Sequence, residues 1–140
     1  MGNIGEAVAC LALKKKNYRI IEKNFNTGIG ELDIIASTDK TLVFIEVKTR
    51  TSDDYGSPSE SIGTDKILKI RKTARWYLAK EDETDFEDYR FDIIAITVKK
   101  NKIRSISGKI NRDRASICDI SEIAAELIDS CTIDHIEAAF

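Results

Sequence analysis

Histidine and cysteine are scarce in this chain. Its 140 residues hold one histidine, His135, and three cysteines, Cys10, Cys118 and Cys131, with no C-x-x-C pair. That excludes a zinc ribbon and a paired disulfide framework, and leaves the thiols as buried or incidental groups. Long apolar runs are missing too. No stretch approaches the roughly 18 residues of a membrane span, and the N-terminus lacks the charged-then-apolar-then-small pattern of a secretory signal. These absences predict a cytoplasmic protein. Positive charge is not in excess: the formal net charge is -2. The molecule is therefore not the basic body of a simple electrostatic nucleic-acid binder, and any such binding has to come from local patches. Proline occurs once, as Pro58, within the polar stretch Thr49 to Ser61, which reads as a surface loop.

What is present suffices for one compact domain with a sizeable core. Asn3 reads as the N-cap of a first helix, with Glu6 placed as in a capping box and Ile4, Ala7, Val8, Leu11 and Ala12 at helical spacing as far as Lys16. Glu6 has two readings: the cap itself, or an acid delivered by the helix start to the neighbouring hairpin. Lys14, Lys15 and Lys16 fall in the last turn, where cations suit the helix dipole. Tyr18 to Phe25 alternates as a strand, and Asn26, Thr27, Gly28 and Gly30 supply a turn.

The hairpin that follows carries the chemistry. On either side of Ser37 to Lys40 the residues turn apolar and β-branched, which predicts strands over Glu31 to Ala36 and Leu42 to Thr49. A symmetric loop of Thr38 to Thr41 puts Ser37 opposite Leu42 and, counting back, Asp33 opposite Glu46. Period-2 alternation then places Lys48 on the face of Glu46. Facing carboxylates, with Cβ atoms roughly 4.5 to 5.5 Å apart, repel one another. A hard divalent cation would offset that repulsion, since Mg²⁺ typically takes one or two carboxylates plus waters and phosphate oxygens. Lys48 beside it would orient a water or neutralise charge building on a phosphate. An E-x-K triplet alone is common on solvated strands; here Asp33 and the polar insertion into the apolar run Leu42 to Val47 set it apart.

Asp65 to Lys80 predicts the clearest helix, with Ile67, Ile70, Ala74, Tyr77 and Leu78 in an arc of roughly 100 degrees toward the core. Lys66, Lys69, Lys72, Arg71 and Arg75 lie outside that arc, with almost no acid among them. Such charges usually mean a solvated face, and cations without acids equally suit phosphates. Trp76, beside Lys69 and Lys72, can stack on a base or pack half-buried. After the acidic stretch Glu81 to Asp88, the run Phe91 to Val98 is nearly all apolar, as in a strand buried on both faces. The connection from Lys48 to it is long enough for a parallel βαβ unit. Ser105 to Arg114 reads as loop, Asp119 to Asp129 as an amphipathic helix, and the ending HIEAAF as a docked tail.

Certain residues recur together as a set: Gly5-Glu6, Asn24, Gly30-Glu31-Leu32-Asp33-Ile34-Ile35-Ala36, Phe44-Ile45-Glu46-Val47-Lys48-Thr49-Arg50, the Gly56-x-Pro58 loop, Lys66, Arg90-Phe91-Asp92 and Ala139-Phe140. On these residues, which span nearly the whole chain, the sequence resembles the YraN-like family of bacterial proteins. That family is placed in the PD-(D/E)xK nuclease group and is similar to archaeal Holliday junction resolvases. The resemblance implies an α/β, restriction-endonuclease-like αβββαβ core with a mixed central sheet flanked by helices. It implies an endonuclease that hydrolyses phosphodiester bonds of structured or branched DNA with Mg²⁺ or Mn²⁺. Asp33 and Glu46 would ligate the metal together with the backbone carbonyl of Val47, Glu6 would complete the acidic cluster, and Lys48 would position or activate water. Thr49, Arg50 and Lys66, with Lys69 and Lys72 of the basic helix, would contact phosphates. Resolvase-like relatives act as dimers, so a homodimer is implied as well.

The chain departs from the family pattern in three places. Asn26 stands where arginine is usual, Ala138 stands where the ending has asparagine, and roughly Ser105 to Thr132 reads as an insertion within a single domain of residues 1–140. The first bears on nucleic-acid contact, the insertion on partners or oligomeric state. A different class of function stays open: a non-cleaving nucleic-acid-binding or adaptor module whose acidic cluster serves folding or weak cation binding. Net acidity favours that module, and the intact Asp33, Glu46 and Lys48 set disfavours it.

Overall fold

Short connections dictate the first half of the sheet. In the computed structural model, which describes residues 2–52, 62–80, 85–102, 104–105 and 117–140, strands β1 (Arg19–Asn26), β2 (Glu31–Thr38) and β3 (Thr41–Thr51) form an antiparallel meander. Gly28, at φ 80°, turns β1 into β2. Thr38 pairs directly with Thr41, so the β2–β3 loop is tighter than the four-residue loop expected, with Asp39 left-handed at φ 49°. The register is nevertheless the expected one, Ser37 opposite Leu42.

Helix α2 (Thr64–Lys80) returns the chain so that β4 (Asp88–Val98) pairs with β3 in parallel, as the connection length allows. Helix α3 (Ile117–Leu127) and strand β5 (Thr132–Ile136) follow, giving a five-stranded mixed sheet in the order β1-β2-β3-β4-β5. Alternation sends Ile34, Ala36, Val43, Ile45, Ile94 and Ile96 to one face, under α3 and the first helix, α1 (Gly2–Lys15). Ile35, Leu42, Phe44 and Phe91 go to the other, under Ile70, Ala74 and Tyr77 of α2. No helix among the described residues is long and apolar enough to cross a membrane.

Two local expectations change. Helix α1 starts at Gly2, so Asn3 lies inside it rather than capping it. It comes close to β3 because residue 5 is glycine: a Cβ there would collide with the Thr49 hydroxyl. The tail read as merely docked contributes a strand, β5, held by Asp92. This fully buried carboxylate, in the middle of what reads as an apolar run, accepts from Arg90 Nε at 2.9 Å and from the Ala138 N–H at 3.0 Å, and meets His135 Nε2 at 2.7 Å. Burial alone would raise its pKa, but the hydrogen bonds from His135, Arg90 and Ala138 hold it below the ordinary value. Arg90 also donates to the Tyr18 hydroxyl, tying β4 to the start of β1. The readings for the Gly56-x-Pro58 loop and for most of Ser105 to Arg114 fall outside the described residues.

Candidate active site

The β2–β3 ladder runs from Thr38–Thr41 to Ile34–Ile45, and one further step of that register brings Asp33 opposite Glu46. There the alternation breaks. Leu32 packs on the α2 side with Ile35 and Phe44, whereas Ile34 packs on the α1 side; strict alternation would put both on one face. The Asp33 side chain ends the ladder instead, with Oδ2 accepting the Val47 N–H at 2.8 Å. Glu46 shares the α2 face with Phe44 and is only 5% exposed.

Burial and then the negative charge of Glu46 push Asp33 up to about 6, the Val47 N–H pulls the other way, and a hydrogen bond between the two carboxyl groups adds to the rise. Glu6 reaches toward the same place from α1. Burial and then the charge of Asp33 raise its pKa, while a hydrogen bond with the Asn24 side chain opposes them. Its role is thus read from contacts across to β1 and β2, not from a helix cap. Acids from α1, β2 and β3 converge here. Among the described residues, however, no group of three or more His, Cys, Asp or Glu side chains is arranged to hold a metal ion. The arrangement is a carboxylate pair with Glu6 beside it. Two neighbouring carboxylates, one of them raised in pKa by burial and by the charge of the other, carry negative charge that a divalent cation would neutralise, and two carboxylates are a sufficient protein donor set for Mg²⁺.

The cations distribute differently from the sequence expectation. Lys66, expected on phosphate, is ion-paired with Glu46 at 2.5 Å from the first turn of α2. Burial pulls its pKa down, but the hydrogen bond and charge of Glu46, helped by Asp33 and Glu31, more than reverse this. Lys48 is half-buried, two residues beyond Glu46 on β3, and forms no ion pair with another described residue. Thr49 lies against Gly5 of α1. The Arg50 Nε donates to Thr97 of β4 at 3.5 Å. Lys69 and Lys72 are exposed along α2. The fold thus brings together Asp33, Glu46 and Lys66, sets Glu6 and Lys48 at their margin, and turns Thr49 to the other face.

Two features of the site escape sequence reasoning. Asn24, left-handed at φ 54° inside β1, stands close enough to Glu6 to oppose the rise in its pKa, a placement that no local pattern announces. The Lys66–Glu46 pair joins residues twenty positions apart, and its only local signal is a lysine at the start of the helix that follows the E-x-K strand.

Fold and site together define a mixed α/β protein whose five-stranded sheet presents two neighbouring carboxylates beside two lysines. The chain belongs to the YraN-like family, described as "Uncharacterised protein family UPF0102", which matches residues 5–96. It is 44% identical over 103 residues to a UPF0102 protein of Caldanaerobacter subterraneus, covering 74% of this chain and 84% of that one. A UPF0102 protein of Caldicellulosiruptor bescii is 44% identical over 108 residues, 76% of this chain and 91% of the relative. One from Clostridium acetobutylicum is 42% identical over 95 residues, 68% and 77% of the two chains. The family match includes Glu6, Asp33, Glu46, Lys48, Lys66 and Asp92, and ends before α3 and β5.

Proposed function

We propose that this protein is a metal-dependent endonuclease with a restriction-endonuclease-like αβββαβ core, a single cytoplasmic domain acting on structured or branched DNA. The observation that carries the reading is the Asp33 carboxylate, held by the Val47 N–H beside the buried Glu46, with Lys48 two residues along the same strand. Asp33 and Glu46, with the Val47 carbonyl, would hold Mg²⁺ or Mn²⁺. When bound, the ion polarises a phosphoryl oxygen and makes its water a nucleophile at neutral pH.

The chain's own residues do the rest. The Val47 N–H fixes the Asp33 carboxylate in place beside Glu46. Lys48 supplies positive charge where negative charge grows on the phosphoryl group, in a half-buried setting where such charge counts for more than in water. Glu6 adds negative potential beside Asp33, and Lys69 and Lys72 provide phosphate contacts along α2. A homodimer completes the reading, by likeness to resolvases. A second reading has one observation in its favour: Lys66 already neutralises Glu46, as in a protein that uses its acidic cluster for folding and binds nucleic acid without cutting it.

Cleavage of a panel of single-stranded, duplex, flap and four-way-junction DNA, and RNA, with Mg²⁺ or Mn²⁺, separates the two. Cutting that needs metal and is lost in Lys48→Ala and Asp33→Ala is the expected result. Binding of a structured nucleic acid equally by all three proteins, with no cutting, makes the non-catalytic module the better account.

A further inference from the structure

Tyr89 is 53% exposed, near the start of β4, where the strand pairs with β3 and β5 does not reach. Its ring is held in place from within, edge-on to Phe44 at 6.4 Å and to Phe91 at 6.1 Å. Phe91 in turn stacks between Phe44 at 5.4 Å and Phe140 at 5.3 Å. Tyr89 is therefore a rigid aromatic surface open to solvent. Arg71 and Arg75, one turn apart on α2, line the same hollow, with the Arg71 guanidinium 5.9 Å from the Phe91 ring centre. Neither arginine is ion-paired with a carboxylate among the described residues. The shallow depression continues past Phe140, with a volume of about 460 Å³, and the acid at its rim, Asp88, is occupied by the Tyr89 N–H at 2.8 Å.

The geometry points to a subsite here for one unpaired nucleotide of a DNA strand, its base stacked on Tyr89 and its phosphate held by Arg71 and Arg75. A fixed, exposed ring beside unpaired guanidiniums is the combination that binds single-stranded nucleic acid, since every base offers a stacking face and every nucleotide a phosphate. The spacing from the carboxylate pair can be measured along two elements. Tyr89 pairs with Leu42, four residues before Glu46 on β3, or about 13 Å at strand rise. Arg75 lies nine residues beyond Lys66, which contacts Glu46, again about 13 Å at helical rise. Both sit on the α2 face of the sheet. That distance is about four stacked nucleotides at 3.4 Å each.

This subsite rests on the nuclease reading and narrows its substrate. A blunt, continuous duplex keeps its bases stacked internally, whereas a flap, fork or junction exposes an unpaired base a few nucleotides from the scissile phosphate. The test is equilibrium binding in EDTA, where no strand is cut, of a flap DNA with 2-aminopurine in its single-stranded arm and of a blunt duplex. Wild type is compared with Tyr89→Ala, Tyr89→Phe and Arg75→Ala, all at exposed positions, each checked for an unchanged melting temperature. Tyr89→Ala is expected to weaken flap binding about tenfold and to release the quenching of 2-aminopurine, Tyr89→Phe to restore both, and Arg75→Ala to weaken flap binding. Duplex binding stays constant. Flap binding indifferent to Tyr89, or equal losses for flap and duplex, overturns the subsite and leaves the nuclease reading standing. No flap binding by wild type, or capture of an acidic peptide instead, overturns the subsite, and the cleavage panel with Mg²⁺ or Mn²⁺ then decides the nuclease reading.

Discussion

The Val47 N–H donates to Asp33 Oδ2 at the point where the β2–β3 ladder stops. One hydrogen bond thereby ends a strand pairing and immobilises the acid of the candidate site, placing it against Glu46. Local structure and chemistry are joined at that bond.

Asp33 is harder to ionise in the fold than in the unfolded chain, with its pKa raised from 3.8 to about 6. The folded state therefore binds more protons across that window, and stability falls as pH rises through it. Asp33→Asn keeps an acceptor for Val47 and removes the charge. It should melt about 3 °C or more above wild type at pH 7.5 and level with it near pH 4. Adding Mg²⁺ at pH 7.5 should raise the wild-type melting temperature and leave the variant's unchanged. A variant no more stable than wild type at pH 7.5 counts against a raised Asp33 pKa.

Lys66→Ala leaves Glu46 buried without its cation. Because Lys66 itself is about half exposed, with 49% of its side-chain surface open, solvent screening brings the expected cost below that of a fully buried pair, to about 1–2 kcal/mol in metal-free buffer. Mn²⁺ should recover part of that loss and should bind Lys66→Ala more tightly than wild type, because the ammonium no longer competes for Glu46. Urea melts and titration calorimetry with and without Mn²⁺ check both halves.

Asp92→Ala strands Arg90 and His135 in the interior and should cost about 3–5 kcal/mol. Hydrogen exchange at the β5 amides should rise most, since Asp92 holds both His135 and the Ala138 N–H. With its pKa lowered from 3.8, Asp92 contributes stability that is present above that value and lost as pH falls through the folded one. The acid limb of a stability profile should therefore flatten in Asp92→Asn. Slow exchange retained in β5 of Asp92→Ala would show that the strand is held by other means.

Gly5→Ala forces α1 away from β3 at Thr49 and should destabilise by about 1–3 kcal/mol. Thr49→Ala removes the colliding hydroxyl, so the double variant should recover much of the loss. Additive effects in the double-mutant cycle would mean that the two residues are not in contact.

The meander, its register, α2 and the parallel return to β4 were all legible in the sequence. Each depends on local rules: alternation, turn length and a helical stripe act over a few residues, so the chain states them directly. The same local count brings Asp33 to Glu46 and puts Lys48 at the next position on the Glu46 face. The decisive details of the site are non-local. Lys66 on Glu46, Asn24 on Glu6, Asp92 clasping the tail and Tyr89 open beside Arg71 each join elements that only folding brings together. In sequence Asp92 is one charge in an apolar run, and Thr132–Ile136 is too short and mixed to announce a strand. Local sterics and periodicity therefore set where the acids stand along the chain. Tertiary packing decided which cation meets them and which aromatic remains exposed, because both depend on how α2 lies across the sheet.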